Sequence, residues 1–212
     1  MTRYHFHVGL LEQAESLVAK FHYSRRSPAN VQCVGTWHAD GGLFGDDGPP
    51  VAACFFSIPP TRWSEDVLEL SRLVRDESVR PQLTGLISLT VKWLAKTRTA
   101  DLLVSFADAT HGHHGGVYQA ASWNYDGQRD RQMDGLIVDG VFIAGRSCNS
   151  SWGTRSPSKL RERFPDKSIE PHFDQGKHLY WRSLCKAGDK KAATLGLKRA
   201  FYPKPNVLAL AA

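Results

Sequence analysis

Cysteine is scarce. The 212 residues hold four, Cys33, Cys54, Cys148 and Cys185, and no two form a CxxC pair. This excludes a disulfide-framed secreted mini-domain and the paired-cysteine zinc ribbons. Cys54, inside "VAACFFSI", reads as a small buried hydrophobe. No apolar run approaches the ~20 residues that span a bilayer, and the opening "MTRYHFHVGLLEQ" lacks the apolar core of a signal peptide. A cytosolic chain with reduced thiols and no membrane partner is expected. Several catalytic signatures are missing as well: there is no P-loop, no G-x-S-x-G elbow and no H-E-x-x-H. "SIPPT" (57–61) has neither the leading amide nor the aromatic of an adenine-methyltransferase motif, and no E-x-K follows "EDVLEL" to make a nuclease.

What is present is an ordinary globular balance, 42% hydrophobic and 23% charged, which can fill a sizeable core. The length suggests one domain over 1–212. The formal net charge is +6. An excess of that size favours a polyanionic partner, although basic enzymes without one are common. Much of it lies in a basic tail from 186 onward: Lys186, Lys190, Lys191, Lys198, Arg199 and Lys204 against the single acid Asp189.

The periodicity alternates between strand and helix. "YHFHV" (4–8) reads as a strand, and Leu10, Leu11, Ala14, Leu17, Val18 and Phe21 recur at helical spacing, which makes 10–21 an amphipathic helix. "VQCVGTWHA" and "VAACFFSI" pair across a Gly/Asp/Pro loop. "VLELSRLV" (67–74) is a strand with Leu68, Leu70, Arg72 and Val74 on one face. An arginine among those apolar residues needs a partner or a ligand. Pro81 suits a first helical turn, and Leu83 to Lys96 is helical. "DLLVSFA" (101–107) is a buried strand, a helix starts near Gly115 or Gly116 and "NYDG" closes it, "LIVDGVFIA" is a hairpin turning at Asp139-Gly140, and "KHLYWRSL" is a late strand. Residues 146–176, polar and rich in Pro and Ser, read as a surface excursion. The order implies an α/β fold: a mixed central sheet with helices on both faces.

Chemistry concentrates in "SFADATHGHHGGVYQAASWNYDG" (105–127). His111, His113 and His114 are zinc- or iron-binding residue types, but the sequence offers no definite further ligand. Alternatively, a strand ending in Ala-Asp, a glycine pair and a helix place backbone N–H groups of Gly115 and Gly116 where an anion or thioester oxygen binds. Asp108 ends the strand and Tyr118 lies on the first helical turns, so both can serve one cleft. On spacing alone Asp108 is equally a loop cap and Tyr118 equally a half-buried core residue. Upstream, Gln82 and Gly85 partly fit the Q/R-x-x-G-x-G/A loop with which acetyltransferases cradle the pyrophosphate of coenzyme A; Ile87 stands where a small residue is expected.

"FHYSRRSP" (21–28), "LELSRLVRDE" (68–77), the long motif at 105–127 and "KHLYW" (177–181) together resemble the Mom family of phage DNA-modification proteins, over about 20–205. The resemblance implies a GNAT-like (acyl-CoA N-acyltransferase-like) fold and an enzyme in the host cytoplasm that adds an acetamido (carbamoylmethyl) group to N6 of adenine in double-stranded DNA, protecting it from restriction. Carried onto this chain, the site residues are Arg72, Ser88, Asp108 and Tyr118, with acetyl-CoA or another acyl-CoA held by Gln82, Gly85, Gly115 and Gly116. Asp108 would take the amine proton, Tyr118 would serve the leaving group and Arg72 a negative charge. The base must be flipped out or caught unpaired, with Trp123 and Tyr125 as stacking candidates and the tail with Arg25 and Arg26 on the backbone. Simple acetyl transfer does not make the implied product. Iron, with His22, Tyr23 and His38 as candidate ligands, or a glycine-derived donor, would close that gap. Two other functions are compatible: an N-acetyltransferase of a small amine or protein, and a non-enzymatic DNA-binding anti-restriction protein.

Overall fold

The computed structural model describes residues 4–9, 11–41, 47–59, 63 and 65–203. The chain runs β1 (Tyr4–Val8), α1 (Leu11–Phe21), β2 (Val31–Ala39), β3 (Pro50–Ser57), β4 (Val67–Arg75), α2 (Leu83–Thr97), β5 (Leu102–Asp108), α3 (Gly116–Ala120), β6 (Asn124–Gln128), β7 (Met133–Val138), β8 (Val141–Ala144), α4 (Gly145–Trp152), α5 (Pro157–Arg163), β9 (Ile169–Phe173), β10 (Lys177–Ser183) and α6 (Lys186–Thr194). Seven strands form one sheet in the order β1-β2-β3-β4-β5-β10-β6, and three form another, β8-β7-β9. β1 to β4 are antiparallel neighbours, whereas β4 and β5 are parallel because α2 carries the chain across between them. This is the mixed sheet expected from the sequence.

The two compact units are residues 1–106, 115–127 and 179–204, and residues 107–114, 128–178 and 205–212. In the first, strand alternation explains why both sheet faces are covered. Val34, Ala53, Phe55 and Val74 pack with Ala14, Leu17 and Val18 of α1. The intervening positions face α2: Gly35 meets Thr90, and Cys54 Sγ lies 3.1 Å from Thr90 Oγ1. Burial pushes the Cys54 thiol up to about 12, so it stays protonated as the small hydrophobe its context implied. A third cluster joins Val67, Leu102, Val104, Leu179 and Trp181 to Ala192 of α6.

Three stretches depart from the sequence expectation. "NYDG" does not close a helix but opens β6, and α3 is only five residues long. Ser122 takes a positive φ of 59° immediately before, which ends the helix and turns the chain into the sheet. Residues 146–176 are not an irregular excursion. They contribute α4, α5 and β9, and Cys148, Leu160 and Ile169 pack with Leu136 and Val138 as the core of the second unit. Their apolar residues are too widely spaced to advertise a helix among so many Ser, Arg and Pro. The presumed basic tail is also folded: α6 packs on the sheet, Lys191 pairs with Asp66 and Asp101 at 3.2 and 3.8 Å, and the Tyr202 hydroxyl donates to the Trp123 carbonyl. Lys204 lies outside the described residues.

A Cβ built on Gly35 would lie 2.0 Å from Thr90 Oγ1 and about 3 Å from its other atoms. Gly35→Ala is therefore expected to destabilise the fold by about 1–3 kcal/mol, the usual cost of overpacking. The added substitution Thr90→Ala should recover part of that loss. Chemical denaturation of the single and double variants measures the coupling.

Candidate functional site

β4 and β5 part company. Their parallel pairing runs Val67–Leu102, Leu68–Leu103 and Glu69–Val104, and no later pair forms. On the other side of β4 the register with β3 slips: Arg72 opposes Phe55, but Leu70 opposes Phe56, so Ser71 is an extra residue in β4. The bulge has a consequence that simple alternation misses. Arg72 lies on the Phe55 side of the sheet with α1, while Leu70 lies on the opposite side. The two do not share a face, contrary to the strict period of two.

At the fork, side chains replace the missing ladder. The Ser105 hydroxyl donates to the Leu70 carbonyl at 2.8 Å. Tyr118, on α3, hydrogen-bonds Ser105 through its phenol. Tyr118 is 8% exposed, and burial pushes its phenol up to about 12, with the neighbouring Glu69 and Tyr23 acting in the same direction. Its ring packs 5.2 Å from that of Tyr180 and 5.6 Å from that of Trp123. The ring of Tyr118 is core, as spacing allowed, and its hydroxyl lies beside Ser105 near the end of the β4–β5 pairing. Ser105 was missed in the sequence. The available signal was a serine inside the apolar "DLLVSFA", since a buried hydroxyl requires a partner.

Gly115 is explained by Tyr180. It has φ +80°, and a Cβ there would lie 2.2 Å from the tyrosine ring. Gln119 closes the arrangement by donating from Nε2 to the Tyr180 hydroxyl at 3.0 Å. Gly115 thus serves close packing against Tyr180, and the five-residue helix that Gly116 opens has little cumulative dipole. The longer helix α2 supplies the larger one. Gln82 at its N-cap makes no side-chain cap hydrogen bond, and the first-turn N–H groups of a helix have no intrahelical partner. A Cβ on Gly85 would make ordinary contact with Trp37 and Gln82 at 3.5 and 3.8 Å, and the Trp37 indole N–H donates to the Gln82 carbonyl at 3.2 Å, so the indole lies against this turn. Gln82 is exposed and Ser88 half-buried on the same helix.

Arg72 spends its guanidinium locally. Nη1 donates to the Ser71 carbonyl at 2.6 Å and Nε to the Arg26 carbonyl at 3.3 Å, which ties the 22–28 segment to β4. Arg25 likewise donates to the Ala19 carbonyl. Trp123 is fully buried and Tyr125 6% exposed, so neither ring is available to stack on a base.

Asp108 belongs to the second unit. It is the loop cap that spacing allowed: Oδ1 accepts from the Thr110 amide at 3.0 Å. Oδ2 lies 3.8 Å from Lys177 Nζ, and the side chain keeps 18% exposure. Around it, burial lowers the basicity of His113 and His178, with His111 and His114 adding repulsion. Among the described residues no three His, Cys, Asp or Glu side chains gather in a metal-holding group. His38 is 3% exposed, with its ring nitrogens bonded to Thr36 and to the Gly48 carbonyl. His22 Nδ1 bonds Ser24, and its ring packs 4.4 Å from that of Tyr23. His22, Tyr23 and His38 therefore have protein partners in this structure, and nothing in it supports an iron site at them or at His111–His114.

No described helix is long and apolar enough to cross a membrane. No curated protein matches the chain. Several solved structures are similar to it at low identity. The ribosomal-protein-S18-alanine N-acetyltransferase of Escherichia coli is 10% identical, with a TM-score of 0.47 over 87% of this chain and 97% of that one. A Bacillus subtilis acetyltransferase in complex with CoA is 11% identical, with a TM-score of 0.45 over 86% and 100%. The ribosomal-protein-S5-alanine acetyltransferase of Vibrio fischeri is 8% identical, with a TM-score of 0.49 over 88% and 98%. A family model matches residues 6–204, nearly the whole chain, and by that match the protein belongs to the Mom protein family.

Proposed function

We propose that this protein is a phage DNA-modifying transferase that alters N6 of adenine, with an acyl-CoA as the activated donor and protection from restriction as the outcome. One observation carries the reading: the Mom family match spans the whole catalytic region identified in the sequence, and inside it the Tyr118 hydroxyl meets the point where β4 and β5 separate. With a glycine-derived acyl group on the thioester, N6 would form its new C–N bond to the carbonyl carbon as the C–S bond breaks, CoA would leave as its thiol, and the aminoacetyl product would have the same mass as an acetamido addition. Everything else falls to the chain itself. The opening between the strands accepts a narrow extended group, and the start of α2, with Gln82 and Gly85, holds its phosphate end.

Tyr118 suits the leaving-group role because burial keeps it protonated. A phenol at about 12 carries its proton at every physiological pH and can donate to a departing thiolate. It is unsuited to act as a base. The amine proton therefore goes to a carboxylate, and Asp108 is the assigned acceptor. Its Oδ2 lies 3.8 Å from Lys177 Nζ. Adenine N6 is a poor nucleophile, since its lone pair is delocalised into the ring, so removal of that proton as the bond forms is the step that most needs help. Arg72 holds the 22–28 segment against β4 and acts as a positioning residue.

Two outcomes are expected. In a near-ultraviolet absorbance titration, phenols of the folded protein should separate into an ordinary group and a late group near pH 12 that includes Tyr118 and Tyr180. Tyr118→Phe should remove one late phenol. The sign follows from the raised value: Tyr118 favours folding fully below about pH 10, and its contribution disappears as the pH rises toward 12. Second, expression in a bacterium followed by mass spectrometry of nucleosides from its DNA should reveal an adenosine heavier by an acetamido group. Tyr118→Phe and Asp108→Asn should each lower its amount about a hundredfold, the scale of a lost acid or base. Full modification in both variants would remove the assigned roles. Unmodified DNA from cells rich in soluble wild-type protein would overturn the function.

A further inference from the structure

Within the first unit, a cavity of about 410 Å³ opens where β10 runs into α6. Its charged lining is Arg182, Lys186 and Arg199 against one acid, Asp189, with Ser122 and Asn124 adding neutral polar groups. The excess of two positive charges is not dissipated by neighbours. The closest approach of Arg199 to Asp189 is 3.9 Å between well-exposed side chains, a weak pair. Lys191 offers the contrast, since one turn along α6 it is committed to Asp66 and Asp101.

The guanidinium groups are pre-positioned. Arg182 Nη1 donates to the Ala121 carbonyl at 2.6 Å, which fixes the plane and leaves its other N–H groups over the cavity. The Arg199 guanidinium stacks 5.4 Å above the Trp181 ring, whose own Nε1 donates to the Lys198 carbonyl at 2.7 Å. Ser122, at φ 59°, projects from the turn between α3 and β6. Two fixed planar forks, a mobile ammonium and small hydroxyl and amide donors match the tetrahedral oxygens of a phosphate. The cavity is wide open, so it accepts a phosphate embedded in a longer chain.

We infer that the β10–α6 pocket binds a backbone phosphate of the DNA duplex. This rests on the DNA-modification reading above but uses none of its catalytic residues. The pocket would set the register of the duplex on the protein and carry no base preference, as phosphate contacts do.

Fluorescence anisotropy of a labelled duplex, across a salt series, tests this with wild type, the double variant Lys186→Gln/Arg199→Gln and Asp189→Asn. Loss of the two cations should weaken binding about tenfold and reduce the slope of log K against log salt by about 1, whatever the duplex sequence. Asp189→Asn removes the only acid and should tighten binding several-fold; it also keeps the test decisive if the double variant misfolds. Titration of wild type with inorganic phosphate and with a mononucleotide separates the sources. Unchanged duplex affinity and slope in both variants, with wild type binding well, overturns the pocket and leaves the DNA reading intact. Absence of duplex binding by wild type at low salt overturns both. Tight mononucleotide binding lost in the double variant, with duplex affinity unchanged, overturns the assignment to DNA backbone.

Discussion

The separation of β4 from β5 is the constraint on which the candidate site depends. A parallel pair normally continues its slanted hydrogen bonds to the end of the shorter strand. Here the ladder stops at Glu69 and Val104, and the next backbone carbonyl, that of Leu70, is met by a serine hydroxyl. A buried carbonyl without a partner is costly, so Ser105 makes the early parting tolerable. The same hydroxyl receives the Tyr118 phenol, which fixes α3 to the sheet. One polar chain, from phenol to hydroxyl to carbonyl, therefore allows the opening and also marks it chemically.

The bulge at Ser71 belongs to the same arrangement. One extra residue in β4 moves Arg72 to the α1 side, where its guanidinium collects the carbonyls of Ser71 and Arg26. An arginine on an apolar strand must find such partners, and it finds them in backbone. This contact ties the 22–28 segment to β4, while Tyr23 is 56% exposed.

Charge is sorted in the first unit by what is already paired. Lys191 answers two aspartates and stitches α6 to the segment before β4 and the start of β5. Arg182 is held by a carbonyl, and Arg199 by an indole face with only a weak, exposed pair to Asp189 at 3.9 Å. The positive potential of the C-terminal segment is thus concentrated by pairing, since cations of equal formal charge differ in how much field they leave outside the protein. The second unit is built otherwise: its three-stranded sheet covers a small core of Leu136, Val138, Cys148, Leu160 and Ile169, and its histidine-rich loop carries Asp108.

Much of the fold was legible. The alternation of "VQCVGTWHA" and "VAACFFSI", the amphipathic period of 11–21 and 83–97, and the Asp139-Gly140 turn each carry a local rule strong enough to act alone. Weak local signals misled: five residues of α3 cannot show a period, and the apolar residues of 146–176 are diluted by polar ones. Sequence by itself determined which residues could be strands, helices and turns, because those choices follow from side-chain spacing and backbone preference. Only the tertiary structure decided which side of the sheet Arg72 occupies, that Ser105 bridges Tyr118 to Leu70, and which basic residues of the C-terminal segment remain unneutralised. Each of these depends on a register slip, an early end to strand pairing or a partner more than 30 residues away in the chain, and none of these has a local code.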